Sequence, residues 1–307
     1  MDSTVLWLQK KRIAVLYGGW SEEAEISRRT GISVLKAFKD LSLDAVGIEL
    51  NHDLPEKLKK EKIGFCFIAL HGKFGEDGTV QGLCEIMGIP YSGSGVLASA
   101  LSMNKAHSKI IFKESGLPTP RFELVSSPRS SLRFPVVVKP NEGGSAIGIA
   151  IVKKEPDLKK AVAQALKYSK QALIEEFVAG KEITAPILGK KVLPLIEIIP
   201  KHDFYDYASK YEIGMSQHLI PARLSNSCVR EVSELAYEAH CVLGCRAFSR
   251  VDFIVDKKNK PWILELNSIP GMTETSLYPE AAKAAGLDFP GTILKMVKHS
   301  IADGKTS

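Results

Sequence analysis

The most constraining feature of this sequence is a pair of β-rich apolar segments near its C-terminal end. Residues 251–255 form the first segment, residues 262–264 belong to the second, and four polar residues, 257–260, lie between them. Two such segments around a short polar turn predict an antiparallel β-hairpin. If the four polar residues form the loop, Asp256 faces Pro261 across it.

This pairing would bring four polar side chains onto one face of the hairpin. Counting back from the turn, Asp252 faces Glu265 and Arg250 faces Asn267, and strand alternation points all four to the same side. Two directly opposed carboxylates repel each other, so we expect a cation between them. Oxygen ligands of this kind suit a hard ion such as Mg²⁺. The alternative is a solvated polar face on which Arg250 neutralises both acids.

The composition restricts the class of protein to which the hairpin belongs. A chain of 307 residues with 45% hydrophobic and 25% charged residues is typical of a globular protein with two or three domains. The net charge of +6 comes from dispersed lysines, which gives little support to nucleic-acid binding and is compatible with an anionic substrate. No apolar segment approaches the length of a membrane span, and five scattered cysteines indicate reduced thiols. We therefore expect a cytoplasmic protein that binds neither nucleic acid nor membrane.

The first part of the chain alternates strands and helices, which predicts a parallel sheet. Strands are expected at 13–17, 45–50 and 64–70, and Ser21 is a candidate N-cap for the helix after the first strand. Ligands of parallel sheets bind beyond the carboxyl ends of the strands, which is where His71-Gly72 falls. No G-x-G-x-x-G pattern follows the first strand, so this unit is not predicted to bind a dinucleotide.

A glycine-rich segment, residues 91–95, is typical of a hinge into the rest of the chain. Beyond it we expect helices within 96–115, strands at 136–139, 147–152 and 172–177, and a helix at 226–243. The fold class is therefore α/β, with α+β architecture after the hinge. The predicted domains are residues 1–93, 94–178 and 179–307.

The segment 138–148 combines a strand, a lysine and a flexible loop. Lys139 ends the strand, and the glycine-rich loop that follows carries Gly144 and Ser145. Backbone N–H groups of such a loop can approach a polyphosphate closely, and the lysine supplies a positive charge. A glycine-rich hairpin turn without a ligand is the alternative.

Three other segments carry polar groups suited to a ligand. The strand 173–178 ends in acids where a purine could meet the backbone, and Glu182 follows it at a position suited to a ribose. The aromatic and charged segment 204–211 suits a loop that folds over a ligand. Residues 268–277 offer hydroxyl and N–H groups to a carboxylate. The alternatives are exposed acids, a packed surface loop and a plain Pro-Gly turn.

In this order, the segments resemble the D-alanine–D-alanine ligases of the ATP-grasp superfamily. The resemblance covers essentially the whole chain after about residue 11. Its most specific motifs are Leu70–Gly82, Tyr91–Lys105, Phe204–Tyr211 and Glu265–Leu277. It implies an ATP-grasp fold, in which an N-terminal parallel-sheet domain is followed by two α+β domains that clamp ATP.

The resemblance implies a nucleotide site and a metal site. The residues implied at the nucleotide are Lys105, Lys139, Gly144, Ser145, Glu175, Phe177, Val178, Glu182 and Lys210. Those implied at the metal are Asp252, Glu265 and Asn267, which would hold two Mg²⁺ ions that Mn²⁺ can replace. ATP would be a co-substrate, and its phosphates would contact Lys105 and Lys139 under the glycine-rich loop.

The resemblance also implies where two D-alanines would bind. Glu23 would receive the ammonium of the first, with His71 nearby, although an acid is also favoured at a helix N-terminus for structural reasons alone. The residues implied around the developing oxyanion and the second carboxylate are Arg250, Gly271, Ser276 and Leu277. Tyr211 would join Ser145 and Glu23 through hydrogen bonds. The implied enzyme is a homodimer that makes D-alanyl-D-alanine for peptidoglycan precursors through a D-alanyl phosphate.

The chain departs from the family pattern in the phosphate loop, and other functions stay open. Ala146 stands where a second serine is frequent, and Asn141-Glu142 precede the glycines. A D-alanine–D-lactate ligase is disfavoured by Tyr211, by resemblance. An ATP-grasp carboxylate–amine ligase for other substrates is disfavoured by Glu23 and His71. A non-catalytic nucleotide-binding module is disfavoured because the arginine and all three implied metal ligands are present.

Overall fold

The computed structural model of the chain describes residues 3–200, 216–273 and 275–303. These residues form three β-sheets, each flanked by helices. Within these ranges, no helix is long and apolar enough to cross a membrane. All five cysteines are free thiols.

The first sheet is parallel, as predicted, with the strand order β2-β1-β3. Its elements are α1 (Ser3–Leu8), β1 (Arg12–Tyr17), α2 (Ala24–Asp40), β2 (Ala45–Glu49), α3 (Leu54–Lys60), β3 (Ile63–Ile68) and α4 (Thr79–Ile86). The prediction that Ser21 caps α2 is wrong, because the helix begins at Ala24 after Glu23. Ser21 instead donates its hydroxyl hydrogen to the His71 carbonyl over 2.7 Å, so it joins the loops that follow β1 and β3.

The second sheet is antiparallel, with the order β4-β7-β5-β6. Its elements are α5 (Val96–Met103), α6 (Lys105–Glu114), β4 (Phe122–Val125), β5 (Val136–Pro140), β6 (Ala150–Val152), a 3₁₀ turn (Glu155–Asp157), α7 (Leu158–Ala165) and β7 (Ala172–Glu176). The strand predicted to begin at residue 147 begins at Ala150. The strand starts later because Gly148, just before it, has a φ of +74°, which lies outside the extended region that a strand requires.

Among the described residues, the third sheet has six strands, in the order β11-β10-β8-β12-β13, with β9 paired to β8. Its elements are β8 (Gly180–Leu188), β9 (Lys191–Val192), β10 (Ile196–Pro200), β11 (Ser216–Leu219), α8 (Asn226–Val242), β12 (Phe248–Asp256) and β13 (Pro261–Asn267), followed by α9 (Leu277–Ala284) and α10 (Phe289–Asp303). The central strand, β12, is hydrogen-bonded to β8 on one side and to β13 on the other.

The β12–β13 hairpin confirms the predicted polar pairs but not the predicted turn. Val255, not Asp256, faces Pro261, because the Asp256 N–H donates to the Lys260 carbonyl over 3.0 Å and closes a three-residue loop. A β-bulge then places Leu264 as an extra residue in β13 and restores the register.

Beyond the bulge, the hairpin has the predicted pairs. Asp252 faces Glu265 and Arg250 faces Asn267. The one-residue shift at the turn and the one-residue bulge therefore cancel before the polar face is reached.

Apolar packing joins the first and third sheets more closely than it joins either to the second. Phe38 and Phe67 of the first sheet share one buried core with Phe248, Tyr278 and Val297 of the C-terminal part. The core of the second sheet contains only residues of its own region, between positions 132 and 174. The second sheet is linked to the third mainly through α6, whose Phe112 packs in the core beneath α8.

The start of α4 requires a glycine, and this can be tested against a matched position at the other end of the helix. Gly78 and Gly88 both have positive φ, but a Cβ on Gly78 would lie 2.6 Å from the Val96 carbonyl oxygen, whereas a Cβ on Gly88 would meet nothing within 4 Å. Gly88→Ala should lower the free energy of unfolding by about 1 kcal/mol through backbone strain alone. Gly78→Ala should lower the free energy of unfolding clearly more than Gly88→Ala does, as measured by urea unfolding. Equal losses for the two variants would contradict the close contact.

Candidate functional site

A cleft of about 480 Å³ separates the second and third sheets, within the size range of small-molecule sites. Its walls come from β5, β6 and β7 on one side and from β8, β10, β12 and β13 on the other. The residues predicted at the nucleotide that line it are Lys139, Glu175, Phe177, Val178 and Glu182. Apolar side chains such as Ile151, Ile198 and Leu264 complete the lining, so the cleft combines apolar walls with charged groups.

Three buried charges meet at the end of this cleft. The Glu175 carboxylate is contacted by Lys139 at one oxygen and by Lys109 at the other, over 2.9 Å. Burial raises the pKa of Glu175, but the positive charges of the two lysines outweigh it and lower that pKa below its ordinary value. Burial lowers the pKa of Lys109 to about 8. The cluster therefore keeps an ionised acid between two cations, away from water.

A second, smaller cavity of about 80 Å³ adjoins the cleft and shares Glu182, Ile198 and Asp252 with it. It is lined by residues from all three sheet regions. The residues predicted at the D-alanines that line it are Glu23, His71, Arg250, Gly271, Ser276 and Leu277. The fold thus places side chains more than 250 positions apart in the sequence around one small polar space.

The Glu23 carboxylate links the first sheet to the glycine-rich loop of the second. The Ser145 hydroxyl donates a short hydrogen bond to Glu23 Oε1. A Cβ on Gly72 or on Gly144 would lie only 3.0 Å from Glu23 Oε2, so a side chain at either position would press on the carboxylate. The loop therefore contacts Glu23 through the Ser145 hydroxyl and through its backbone at Gly144.

The glycine-rich loop has several residues with positive φ in succession. Gly143, Ser145, Ala146 and Gly148 all have φ between +55° and +107°. Backbone in such conformations can turn consecutive N–H groups towards one point and form a concave site for an anion. Lys105 lies beneath the loop and donates to the Gly143 carbonyl. The loop and the lysine are thus already in contact where the sequence predicts phosphates.

The two facing carboxylates of the hairpin are each paired with a protein cation. Arg250 donates to both oxygens of Asp252, over 2.9 and 2.7 Å, and Lys105 lies 3.3 Å from Glu265. The Asn267 amide donates to Asp252 over 3.0 Å. The expected cation is therefore supplied by two side chains, one for each acid.

The donor set on this face fits a hard divalent ion. The carboxylates of Asp252 and Glu265 face each other directly, and Asn267 lies two residues beyond Glu265 on the same strand. Hard ions prefer such oxygen ligands. The Thr184 hydroxyl also donates to Asp252 and holds its carboxylate in place. Among the described residues, no group of three or more His, Cys, Asp or Glu side chains could hold a metal by itself. Any ion here would therefore depend on the Asn267 oxygen or on oxygens of a ligand.

Two titratable groups near Glu23 are partly or fully shielded from water, Glu76 and the buried His71. His71 lies 3.1 Å from the Thr30 hydroxyl through Nε2, and burial together with the charge of Arg250 lowers its pKa to about 4. Glu76 accepts the Gly72 N–H over 2.8 Å, and burial together with the charge of Glu23 raises its pKa to about 8. At neutral pH, the histidine is therefore uncharged and Glu76 largely protonated.

The far wall of the small cavity is the N-terminal end of α9. Ser276 is the N-cap residue of this helix, and its hydroxyl accepts the Thr273 N–H over 3.0 Å. Uncommitted N–H groups and the positive end of the helix dipole favour a carboxylate at such a position. A Cβ on Gly271 would lie 3.0 Å from the Ser276 hydroxyl oxygen, so this glycine lets the backbone approach the helix start.

Sequence reasoning left out Glu76, Lys109 and Thr184, although all three contact predicted residues. Two of them carried a signal in the sequence: Lys109 follows Lys105 by one helical turn, and Glu76 lies inside the Leu70–Gly82 motif. Conversely, Lys210, Tyr211 and the predicted ligand-covering segment 204–211 lie outside the described residues. Their roles stay predictions.

Comparisons with known proteins find similar sequences over most of the chain. The family described as "D-ala D-ala ligase C-terminus" matches residues 99–298, and the family described as "D-ala D-ala ligase N-terminus" matches residues 51–94. A D-alanine–D-alanine ligase of Carboxydothermus hydrogenoformans is 46% identical over 302 residues, which cover 93% of this chain and 97% of that protein. One of Pelotomaculum thermopropionicum is 47% identical over 304 residues, with 94% and 96% covered.

Solved structures show the same similarity. The D-alanine–D-alanine ligase of Bacillus anthracis complexed with ATP superposes with a TM-score of 0.83 at 32% identity, covering 96% of this chain and 99% of that one. The VanG D-Ala:D-Ser ligase of Enterococcus faecalis superposes with a TM-score of 0.81 at 27% identity, covering 94% and 99%. The fold is thus shared by ligases with different second substrates.

The depressed pKa of His71 makes a testable contribution to the pH dependence of stability. In the unfolded chain the imidazole takes up a proton near pH 6.5, but in the folded chain only near pH 4. The unfolded state therefore binds more protons than the folded state between these two pH values. As the pH falls through this range, the free energy of unfolding decreases by up to about 1.4 kcal/mol per pH unit. His71→Asn should remove this loss, so the wild type should be destabilised relative to the variant between pH 6.5 and 4.5 in urea unfolding. Parallel pH curves for the two proteins would show that the histidine is not buried in its neutral form.

Proposed function

The chain belongs to the D-alanine–D-alanine ligase family, and on this premise we propose how its residues carry out the reaction. It is an ATP-dependent, ADP-forming ligase that joins two D-alanines into D-alanyl-D-alanine, the dipeptide of peptidoglycan precursors. Two chemical steps are required. The carboxylate of one D-alanine attacks the γ-phosphate of ATP to form an acyl phosphate, and the amine of the second D-alanine then displaces the phosphate.

The observation that carries this proposal is the adjacency of the two cavities. Glu182 and Asp252 line both, so a nucleotide in the larger cleft would direct its phosphates towards the smaller, polar one. The glycine-rich loop stands at the junction and is tied to Glu23 through Ser145. Placing an amino acid's carboxylate beside a terminal phosphate converts a bimolecular encounter into a reaction between held groups, which is the main source of rate in phosphoryl transfer.

We propose that ATP lies with its base between the apolar walls of the cleft. The residues proposed around the adenosine are Glu175, Phe177, Val178 and Glu182, and those proposed at the phosphates are Lys105, Lys139, Gly144, Ser145 and Lys210. The burial of Lys105 and Lys139 supports this, because a phosphate chain brought to them would face cations shielded from water and salt.

Asp252, Glu265 and Asn267 are the residues that would hold Mg²⁺, as two ions or with Mn²⁺ in their place. Such an ion would neutralise negative charge on the transferring phosphoryl group. The support is the facing register of the two acids and the purely oxygen donor set. Arg250 and Lys105, which neutralise these acids here, would then be released towards substrate oxygens.

We propose that Glu23 binds the ammonium of the first D-alanine, with the uncharged His71 beside it. A neutral imidazole adds no repulsion to a bound ammonium, which supports the pairing. Arg250 and the Gly271 N–H would stabilise the oxyanion of the tetrahedral intermediate. Ser276 and the start of α9 at Leu277 would bind the carboxylate of the second D-alanine, as the helix dipole favours.

Other features of the enzyme are proposals that rest on the family and on partial support. The domain division at 1–93, 94–178 and 179–307 is supported by the three sheets, each of which lies inside one of these ranges. A cytoplasmic location is supported by the five free thiols. A homodimeric state rests on the family resemblance alone, as does the preference for D-alanine over D-lactate as second substrate.

Product analysis tests the proposed reaction directly. The purified protein with ATP and Mg²⁺ should convert D-alanine alone into D-alanyl-D-alanine, ADP and phosphate in equal amounts. With D-lactate or D-serine added in equal concentration, the dipeptide of D-alanine should remain the main product. If the product that contains D-lactate or D-serine exceeds D-alanyl-D-alanine, the chain is a ligase with a different second substrate. Formation of ADP without any ligated product would overturn the proposed function.

The metal assignment predicts a large loss of activity in Glu265→Gln. Removing one carboxylate should cost about 4 kcal/mol of transition-state stabilisation and slow turnover about a thousandfold, because the ion would lose an anionic ligand. Asp256→Asn is a matched control at the tip of the same hairpin, outside both cavities, and should keep most of the activity. Wild-type Mg²⁺-dependent turnover in Glu265→Gln would show that this carboxylate is not a metal ligand.

A further inference from the structure

Lys109 belongs to the buried charge cluster but has no place in the reaction as described above. Its side chain is fully buried, with an exposure of 0%, and those of Glu175 and Lys139 are 3% and 5% exposed. Glu175 and Lys139 line the nucleotide cleft, whereas Lys109 does not. The lysine therefore sits behind Glu175, on the side away from the ligand.

Lys109 is held in this position from the opposite side. Its ammonium donates to the Thr119 hydroxyl over 2.6 Å, and that hydroxyl donates to the Ile263 carbonyl of β13 over 2.8 Å. The ring of Phe122 lies 5.8 Å from the ammonium. Lys109 is thus anchored to the third sheet while it contacts an acid of the second.

The two lysines contact different oxygens of Glu175. Lys109 lies 2.9 Å from Oε2, and Lys139 contacts Oε1. Lys139 is also the lysine assigned to the ATP phosphates, so binding of ATP draws it away from Oε1. A buried carboxylate that loses its cation is strongly destabilised, and the loss would oppose nucleotide binding.

We propose that Lys109 is a positioning residue for ATP binding: by neutralising Glu175 from behind, it frees Lys139 to leave that carboxylate for the nucleotide phosphates. This inference rests on the proposed role of Lys139. It assigns Lys109 no contact with substrate or nucleotide. In its absence, Glu175 and the phosphates would compete for one lysine.

The charges around Lys109 agree with this role. Its ammonium faces Glu175 and, at longer range, Lys139 and Glu265, and burial lowers its pKa to about 8. Lys109 therefore carries its charge at neutral pH. Without it, Glu175 would need to take up a proton whenever Lys139 turned to the nucleotide.

The test measures binding of Mg²⁺ with a non-hydrolysable ATP analogue to Lys109→Met, by calorimetry between pH 6 and 8. We expect a dissociation constant at least tenfold above the wild type at pH 7.5. We also expect the gap to narrow as the pH falls, by up to about tenfold per pH unit, because one proton is taken up with the ligand. Lys113→Met is the matched control, an exposed lysine on the same helix with the same substitution, and should bind as the wild type does.

A double variant, Lys109→Met with Glu175→Gln, separates charge balance from a packing effect. With the acid removed, Lys139 has no competitor whether or not Lys109 is present, so the double variant should bind the analogue as tightly as Glu175→Gln alone and should lose the extra pH dependence of Lys109→Met. If Lys109→Met does not fold, this variant alone decides the question. A double variant that binds the analogue as weakly as Lys139→Met would overturn the inference.

Lys139→Met distinguishes failure of this inference from failure of the proposed site. If it binds the analogue as tightly as the wild type, the phosphate assignment itself is wrong. If Lys139→Met binds the analogue more weakly while Lys109→Met keeps the dissociation constant and the pH dependence of the wild type, the phosphate assignment stands and only the proposed role of Lys109 is wrong.

Discussion

The register of β12 in the third sheet is the constraint on which the site depends. Side chains alternate along a strand, so a shift of one residue would turn Arg250 and Asp252 into the core and Val251 and Phe253 into the cavity. Val251 and Phe253 are fully buried in the core beneath α8, and β12 is hydrogen-bonded along both edges. Hydrophobic burial on one face therefore decides the position of every polar group on the other.

Each acid of the site is paired with at least one cation, and most of these side chains are buried or nearly so. Glu175 has two lysines, Asp252 has Arg250, and Glu265 has Lys105. Isolated charges at these depths would each cost several kcal/mol, so the pairs keep the ligand-free protein stable. In the binding mode proposed above, the phosphates of a nucleotide would take over the lysines and a divalent ion would take over the acids. The same groups would then stabilise the free protein and bind the ligand.

The arrangement of cores supports this exchange. The first and third sheets share apolar packing, so Glu23 and His71 are held firmly against Arg250 and the start of α9. The second sheet has its own core and meets the others mainly through α6 and the polar contacts of its glycine-rich loop. The cleft proposed for the nucleotide lies between the second and third sheets, which share less apolar packing than the first and third. Ligand binding there would disturb little hydrophobic packing.

Local patterns in the sequence were sufficient for the elements and for much of the site. Strand alternation predicted that the four polar side chains share one face, because a period of two needs no knowledge of the rest of the fold. The pairing of Asp252 with Glu265 was predicted by counting back from the turn, and it is found because the shift at the turn and the bulge cancel. Short motifs, with the family they resemble, predicted residues that the structure gathers around two adjoining cavities. The turn of the hairpin was predicted wrongly by one residue, since neither a three-residue loop nor a bulge at Leu264 leaves a clear mark in the sequence.

Only the tertiary structure decided which charges are buried and with what partners. Lys109 and Glu76 look like ordinary helix and loop residues, and their pKa values shift because other elements exclude water from them. The pairing of Glu23 with Ser145 likewise joins positions 122 residues apart. Sequence by itself determined the strands, the turns and the chemical types available, since these depend on neighbouring residues. Desolvation and charge balance depend on contacts between distant segments, so they appeared only when the three sheets were brought together.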